Sequence, residues 1–220
     1  MTETSLPAAV LWDLDGTLID SEHYWMLSER ALADRYPGEW RHEDGLDLIG
    51  LALPVSCAIM KERMGIRDLS IDEMIEELTN GVLVNLEREI PWRPGARELL
   101  LSLNAVGVPQ ALVTMSMRRM ALTVANSLGH DVFHSVVAGD DVVNGKPHPE
   151  AYLRAAELLG VRPEDCIAVE DSLNGLASAE AAGTMALAVP NMMEIPDRTG
   201  RKIWPTLVGL EPHHLLPLFS

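Results

Sequence analysis

Four short, largely apolar segments of this 220-residue chain stop abruptly on polar groups. Ala8–Trp12 runs into Asp13 and Asp15, and Pro109–Thr114 ends on a threonine. Val136–Ala138 leads toward Lys146, and Cys166–Val169 runs into Glu170 and Asp171. Such short unbroken apolar runs read as strands buried on both faces. Between them lie stretches of helical periodicity: roughly Ala96–Asn104, Arg118–Leu128 stopped by Gly129, and Pro149–Leu159 stopped by Gly160. Leu173–Ala182 follows with Ser172 as its N-cap, then a strand at Met185–Val189 and a closing helix over Glu211–Leu218. Strands alternating with helices predict a parallel sheet covered by helices, an α/β fold of the Rossmann type.

The alternation is interrupted once. From Ser21 to about Ile90 the pattern is helical throughout, with no convincing strand. Ser70-Ile71-Asp72-Glu73 has the form of a capping box, and Ile71, Met74, Ile75, Leu78, Val82 and Leu86 follow at helical spacing. Pro91-Trp92-Arg93-Pro94-Gly95 then punctuates the chain. The expected organisation is an α/β core of residues 1–19 and 92–220, with an all-helical domain of residues 20–91 inserted after the first strand.

In open parallel sheets ligands bind beyond the carboxyl ends of the strands. The residues placed there are Asp13, Asp15, Thr114, Lys146, Glu170 and Asp171. Clustered carboxylates cannot all stay ionised without a counter-charge. Hard oxygen ligands in that number suit Mg²⁺. A carboxylate is also a competent nucleophile toward phosphorus, giving an aspartyl-phosphate. The metal and Lys146 would neutralise phosphoryl oxygens, and Thr114 with backbone N–H groups near Gly16 would donate hydrogen bonds to them.

Charge narrows the substrate. Acidic residues outnumber basic ones 33 to 17, for a formal charge of −16. That surface repels phosphodiester backbones, so nucleic acid is not an expected partner. The same surface would repel an anionic substrate, so any site for a small phosphorylated metabolite needs local positive charge from lysine, backbone N–H groups or a metal. Cys57 and Cys166 lie far apart without metal-ligand spacing and read as reduced packing residues of a cytoplasmic protein. No signal-peptide pattern opens the sequence and no apolar run is long enough to cross a bilayer, so no membrane association is expected. A monomer or weak homodimer is the expected state.

Two further patterns lead elsewhere. Gly139 to Lys146 has the look of a phosphate-binding P-loop, but five residues separate its glycines and Pro147 stands where Ser or Thr is needed. His130 and His134 have the spacing of a zinc pair, but Asp131 replaces the glutamate and Gly129 breaks the helix such a pair requires.

Asp13-Leu14-Asp15-Gly16-Thr17, Thr114, Gly145-Lys146-Pro147 and Glu170-Asp171-Ser172 resemble, in order, the four motifs of the haloacid dehalogenase (HAD) superfamily. The helical insert resembles that superfamily's cap. Gly145-Lys146-Pro147-His148-Pro149-Glu150 and Glu170-Asp171-Ser172-Leu173-Asn174-Gly175 are similar to its β-phosphoglucomutase-like branch. The resemblance implies that Asp13 is the nucleophile and a Mg²⁺ ligand. It implies that Asp15 ligates Mg²⁺ through its backbone carbonyl, protonates the leaving oxygen and then activates water. Thr114 and Lys146 would hold the phosphoryl group. Asp171 would ligate the metal, with Glu170 beside it as a ligand or one step behind one.

Members of the family that dehalogenate lack an acid at the position of Asp15, so its presence points to phosphoryl transfer. The branch's mutases carry a histidine and a basic pair whose places here fall on Trp25, Ile49 and Leu53. Without those cations a bisphosphate intermediate could not be gripped and turned around. A Mg²⁺-dependent phosphatase is therefore the expectation, with a sugar phosphomutase as the alternative. Met115 stands where the family has a small or polar residue, and its bulk is expected to narrow the pocket.

Overall fold

A computed structural model describes residues 6–129 and 131–219. The chain divides into two compact units, Ser21–Pro91 and the chain on either side of it.

The α/β unit is built on six parallel strands. They are β1 (Ala9–Trp12), β2 (Gln110–Val113), β3 (Ser135–Val137), β4 (Cys166–Glu170), β5 (Met185–Ala188) and β6 (Lys202–Ile203). Their order across the sheet is β3-β2-β1-β4-β5-β6. The chain steps outward from β1 in one direction and then, beginning at β4, in the other. The carboxyl ends of β1 and β4 therefore flank the crevice where such sheets bind ligands. Every residue of β1, β2 and β4 is buried, as their largely apolar runs lead one to expect of strands covered on both faces. The one polar side chain within β2 is satisfied. Gln110 accepts from the Trp12 indole at 3.0 Å and donates to the Leu100 carbonyl at 3.0 Å.

Helices α5 (Ala96–Ala105), α6 (Arg118–Asn126), α7 (Glu150–Leu159) and α8 (Leu173–Ala181) connect the strands, numbered after the four of the helical unit. Ser172 caps α8 by accepting the Gly175 N–H at 3.1 Å. The sheet is one strand wider than the sequence suggested. β6 is only two residues long and pairs with Leu187 and Ala188, too short to show periodicity. The C-terminal segment Pro212–Phe219 is a 3₁₀ helix rather than an α-helix.

The helical unit holds α1 (Glu22–Ala33), α2 (His42–Leu46), α3 (Leu53–Met64) and α4 (Ile71–Leu86), and no strand lies among its described residues. The Ser70 capping box forms in both directions: Ser70 Oγ accepts from Glu73 N at 3.1 Å, and Glu73 accepts from Ser70 N at 2.7 Å. Helices α1 and α4 approach closely because Gly81 lacks a Cβ, which would overlap Ser28. Ser28 uses the proximity to donate to the Leu78 carbonyl at 2.9 Å. Leu32, Met60, Met64, Met74, Leu78 and Val82 form the buried interior. Ser21, at the N-terminal boundary of α1, makes no side-chain cap bond to it.

Candidate active site

Sheet register determines which side chains meet. Trp12 pairs with Val169 on one side and Leu112 on the other, so Asp13 emerges beside Glu170 and Val113. Asp13, Glu170 and Asp171 converge so that one carboxylate oxygen from each lies within 4.8 Å of the others. All three are buried, Glu170 completely.

Lys146 comes from the loop after β3. Glu150, at the start of α7, pins that loop by accepting from Val143 N at 2.7 Å and Asn144 N at 3.0 Å. The Lys146–Pro147 peptide bond is cis. The Lys146 ammonium donates to Asp13 Oδ1 at 2.7 Å, Glu170 Oε1 at 2.6 Å and the Val113 carbonyl at 2.9 Å, using all three of its protons.

One ammonium thus serves two carboxylates in a buried site, with a third close by. Burial and the charge of Glu170 push the Asp13 carboxyl up to about 7, against the pull of Lys146. Burial pushes the Lys146 ammonium down, but Asp13 and Glu170 outweigh it and hold it firmly protonated. The cluster is short of positive charge. Its donors are hard carboxylate oxygens, and Gly16 and Gly175 make room for them. A Cβ on Gly16 would overlap the Asp171 carboxylate, and one on Gly175 would overlap that of Glu170. This donor set fits a small divalent cation such as Mg²⁺.

Asp15 points its side chain elsewhere. It is half-buried, and its carboxylate accepts from Ser116 Oγ at 2.5 Å and Thr114 Oγ1 at 3.3 Å. Thr114 Oγ1 in turn accepts from Ser116 N at 3.0 Å, which locks the turn after β2. The structure therefore gathers Asp13, Lys146, Glu170 and Asp171 into one network, and Asp15 with Thr114 into a second anchored two residues further along the same loop.

Three contributors escaped sequence reasoning. Ser116 lies two residues beyond Thr114. Tyr152, on α7, donates its hydroxyl to Glu170 Oε1 at 2.7 Å, and its ring lies 5.0 Å from the Lys146 ammonium. Thr17 donates to Asp171 Oδ1 at 3.3 Å. Thr17 closes the first motif and Ser116 lies just past the second, and both could have been found by asking what donates to each site carboxylate; Tyr152 looks like an ordinary apolar helix position. The Met115 side chain packs on the buried cluster that includes Val113, Val137 and Tyr152, and its sulfur accepts the Lys146 N–H at 3.2 Å. The glycine at 145 leaves it the space. His130 of the histidine pair lies outside the described residues, and His134 Nδ1 accepts from Gln110 N at 3.4 Å.

No helix among the described residues is long and apolar enough to cross a membrane. A family model for haloacid dehalogenase-like hydrolases matches residues 7–183. The chain is 30% identical over 184 residues to hexitol phosphatase B of Escherichia coli strain K12, covering 83% of each protein. It is 31% identical over 192 residues to the bifunctional riboflavin kinase/FMN phosphatase of Arabidopsis thaliana, covering 85% of this chain but 49% of that protein, so it spans about half that relative's length. Among solved structures, a variant of CbbY from Rhodobacter sphaeroides in complex with xylulose-(1,5)bisphosphate superposes with a TM-score of 0.85 at 25% identity, over 93% of this chain and 96% of that one. Motif order, sheet topology, convergent carboxylates and the family match agree: the chain belongs to the haloacid dehalogenase-like hydrolases.

Proposed function

We propose that the protein is a Mg²⁺-dependent phosphatase that hydrolyses a small phosphorylated metabolite through an aspartyl-phosphate on Asp13. The observation that carries this reading is the convergence of Asp13, Glu170 and Asp171 around a single lysine, with Asp15 held two residues away by hydroxyl donors. Similarity to a hexitol phosphatase and to a protein bound to a pentulose bisphosphate favours a sugar or polyol phosphate as substrate.

Asp13, Asp171, the Asp15 backbone carbonyl and Glu170, directly or through water, are the groups that would hold Mg²⁺. The bound cation would supply the positive charge that the phosphoryl oxygens and the carboxylates both need. An Asp13 oxygen attacks phosphorus in line with the ester oxygen, and the P–O ester bond breaks. Asp15 gives its proton to the departing alkoxide. Asp15 then takes a proton from water, whose oxygen attacks phosphorus and frees Asp13 and inorganic phosphate. Lys146 and Thr114, whose donors are turned to Asp13, Glu170, the Val113 carbonyl and Asp15 in the free site, would redirect one each to the phosphoryl oxygens as the substrate arrives. The buried ammonium seated against Asp13 opposes the burial that pushes that carboxyl up to about 7, and so favours the ionised nucleophile as the anionic substrate arrives.

Trp25, Ile49 and Leu53 are apolar, which supports hydrolysis over a mutase cycle that must hold a second phosphate. Phosphate release from a panel of phosphorylated sugars, polyols and nucleosides, with Mg²⁺ and then with excess chelator, tests the reading. Release that needs Mg²⁺ is expected. Isomerisation of one sugar phosphate to another, stimulated by its bisphosphate, would replace the phosphatase with a mutase.

A further inference from the structure

Arg93 lies on the return segment that sequence reasoning treated as punctuation. Its guanidinium donates to three backbone carbonyls: that of Gly16, that of Val189 at 3.1 Å and that of Pro190 at 3.0 Å. Gly16 follows β1, and Val189 and Pro190 follow β5. In the sheet β4 lies between β1 and β5, and its end delivers Glu170 and Asp171. The fork therefore straps the two flanking strand ends together across the one that carries two of the convergent carboxylates.

The strap is itself anchored. Arg93 N donates to the Leu18 carbonyl at 2.8 Å, and Ile19 pairs with Trp92 as an antiparallel bridge. Gly16 N donates to the Ile19 carbonyl at 2.8 Å, so the Leu14–Ile19 loop closes on itself where Arg93 grips it. Gly16 is the residue against which the Asp171 carboxylate rests. Burial pushes the Arg93 guanidinium down, while the charges of Asp171 and Asp20 support it.

We propose that Arg93 is a positioning residue: its planar fork fixes the Gly16 peptide against Asp171, so that cation affinity and hydrolysis depend on a side chain that is neither a ligand nor in contact with the phosphoryl group. The proposal rests on reading the acidic cluster as the cation site of a phosphatase. A lysine keeps the charge but, with a single compact ammonium, cannot hold three carbonyls in that geometry.

The test compares wild type with Arg93→Lys and Arg93→Met. Mg²⁺ affinity is measured by calorimetry, amide hydrogen exchange is followed in the 14–19 segment, and an aryl phosphate reports kcat and KM. Positioning predicts that both variants bind Mg²⁺ more weakly, on the order of 10–100-fold, the effect usual for groups that orient metal ligands. It also predicts a lower kcat, a KM within about twofold of wild type, and faster exchange across 14–19. If Arg93 acted by charge alone, Arg93→Met would tighten Mg²⁺ binding and Arg93→Lys would match wild type; either result overturns the proposal. A lower melting temperature with wild-type Mg²⁺ affinity and wild-type exchange overturns it too, by making the residue purely structural. A wild-type protein that neither binds Mg²⁺ nor releases phosphate would sink the phosphatase reading and the proposal with it. That outcome is distinct from a competent wild type matched by both variants.

Discussion

The Lys146 ammonium lies 2.6 Å from Glu170 inside the molecule, where the two side chains are 5% and 0% exposed. The same ammonium lies 2.7 Å from Asp13. Removing the lysine leaves two buried carboxylates facing each other. Breaking such a pair costs roughly 3–5 kcal/mol, chiefly as the penalty of the uncompensated charge. Lys146→Met should therefore lose about that much stability in denaturant titrations without divalent cations, and it should lose phosphatase activity. Saturating Mg²⁺ should raise the stability of the variant more than that of wild type. Equal Mg²⁺ responses would show that the cation does not answer the same charge deficit.

Tyr152→Phe keeps the ring beside Lys146 and deletes only the donor to Glu170. A hydrogen bond to a charged acceptor contributes about 1.5–3 kcal/mol. Stability should fall within that range, with Mg²⁺ dependence shifted modestly as Glu170 reorients. An unchanged unfolding midpoint would show that water replaces the hydroxyl freely.

Gly16 combines a positive φ of 80° with a Cβ position already filled by Asp171. Gly16→Ala faces a backbone penalty of about 1–2 kcal/mol, and Asp171 must move as well. Loss of Mg²⁺-dependent activity should exceed the loss of stability, since the displaced group belongs to the acidic cluster. A variant with full activity and a small stability change would contradict the contact.

The helical unit carries a separate titration. Glu29 is 7% exposed, and its Oε2 has no hydrogen-bond partner among the described residues. Burial pushes its carboxyl from 4.5 up to about 7, against the Trp40 side chain, which lowers it. Between those pH values the folded chain holds a proton that the unfolded chain has released. Stability is therefore fully present below 4.5 and falls as pH rises to about 7, by on the order of 3 kcal/mol in all. Denaturant titrations between pH 5 and pH 8 should show a steeper slope in wild type than in Glu29→Gln, which keeps only the part that the raised Asp13 carboxyl contributes. Parallel curves would place the proton elsewhere.

The strands of the core were legible because burial on both faces leaves unbroken apolar runs, and the helices because glycines stop them. The two-residue β6 was not, since its pairing with β5 is a tertiary fact. Asp13, Lys146, Glu170 and Asp171 could be placed at strand ends from pattern alone, although Asp13 and Lys146 stand 133 residues apart. Tyr152 and Arg93 could not. One sits at an apolar-looking helix position and the other in a proline-bounded turn, and only the folded chain brings their donors to Glu170 and Gly16. The contact of the Met115 sulfur with the Lys146 N–H depends on the space left by Gly145, which no local rule reveals.

The central claim is that Asp13 becomes phosphorylated. Rapid acid quench during turnover, followed by mass analysis of the peptide containing Asp13 and Asp15, tests it most directly. The account predicts one transient phosphoryl group on Asp13, absent in Asp13→Asn together with turnover. Undiminished phosphate release by Asp13→Asn, or a phosphoryl group carried on another residue, would contradict it.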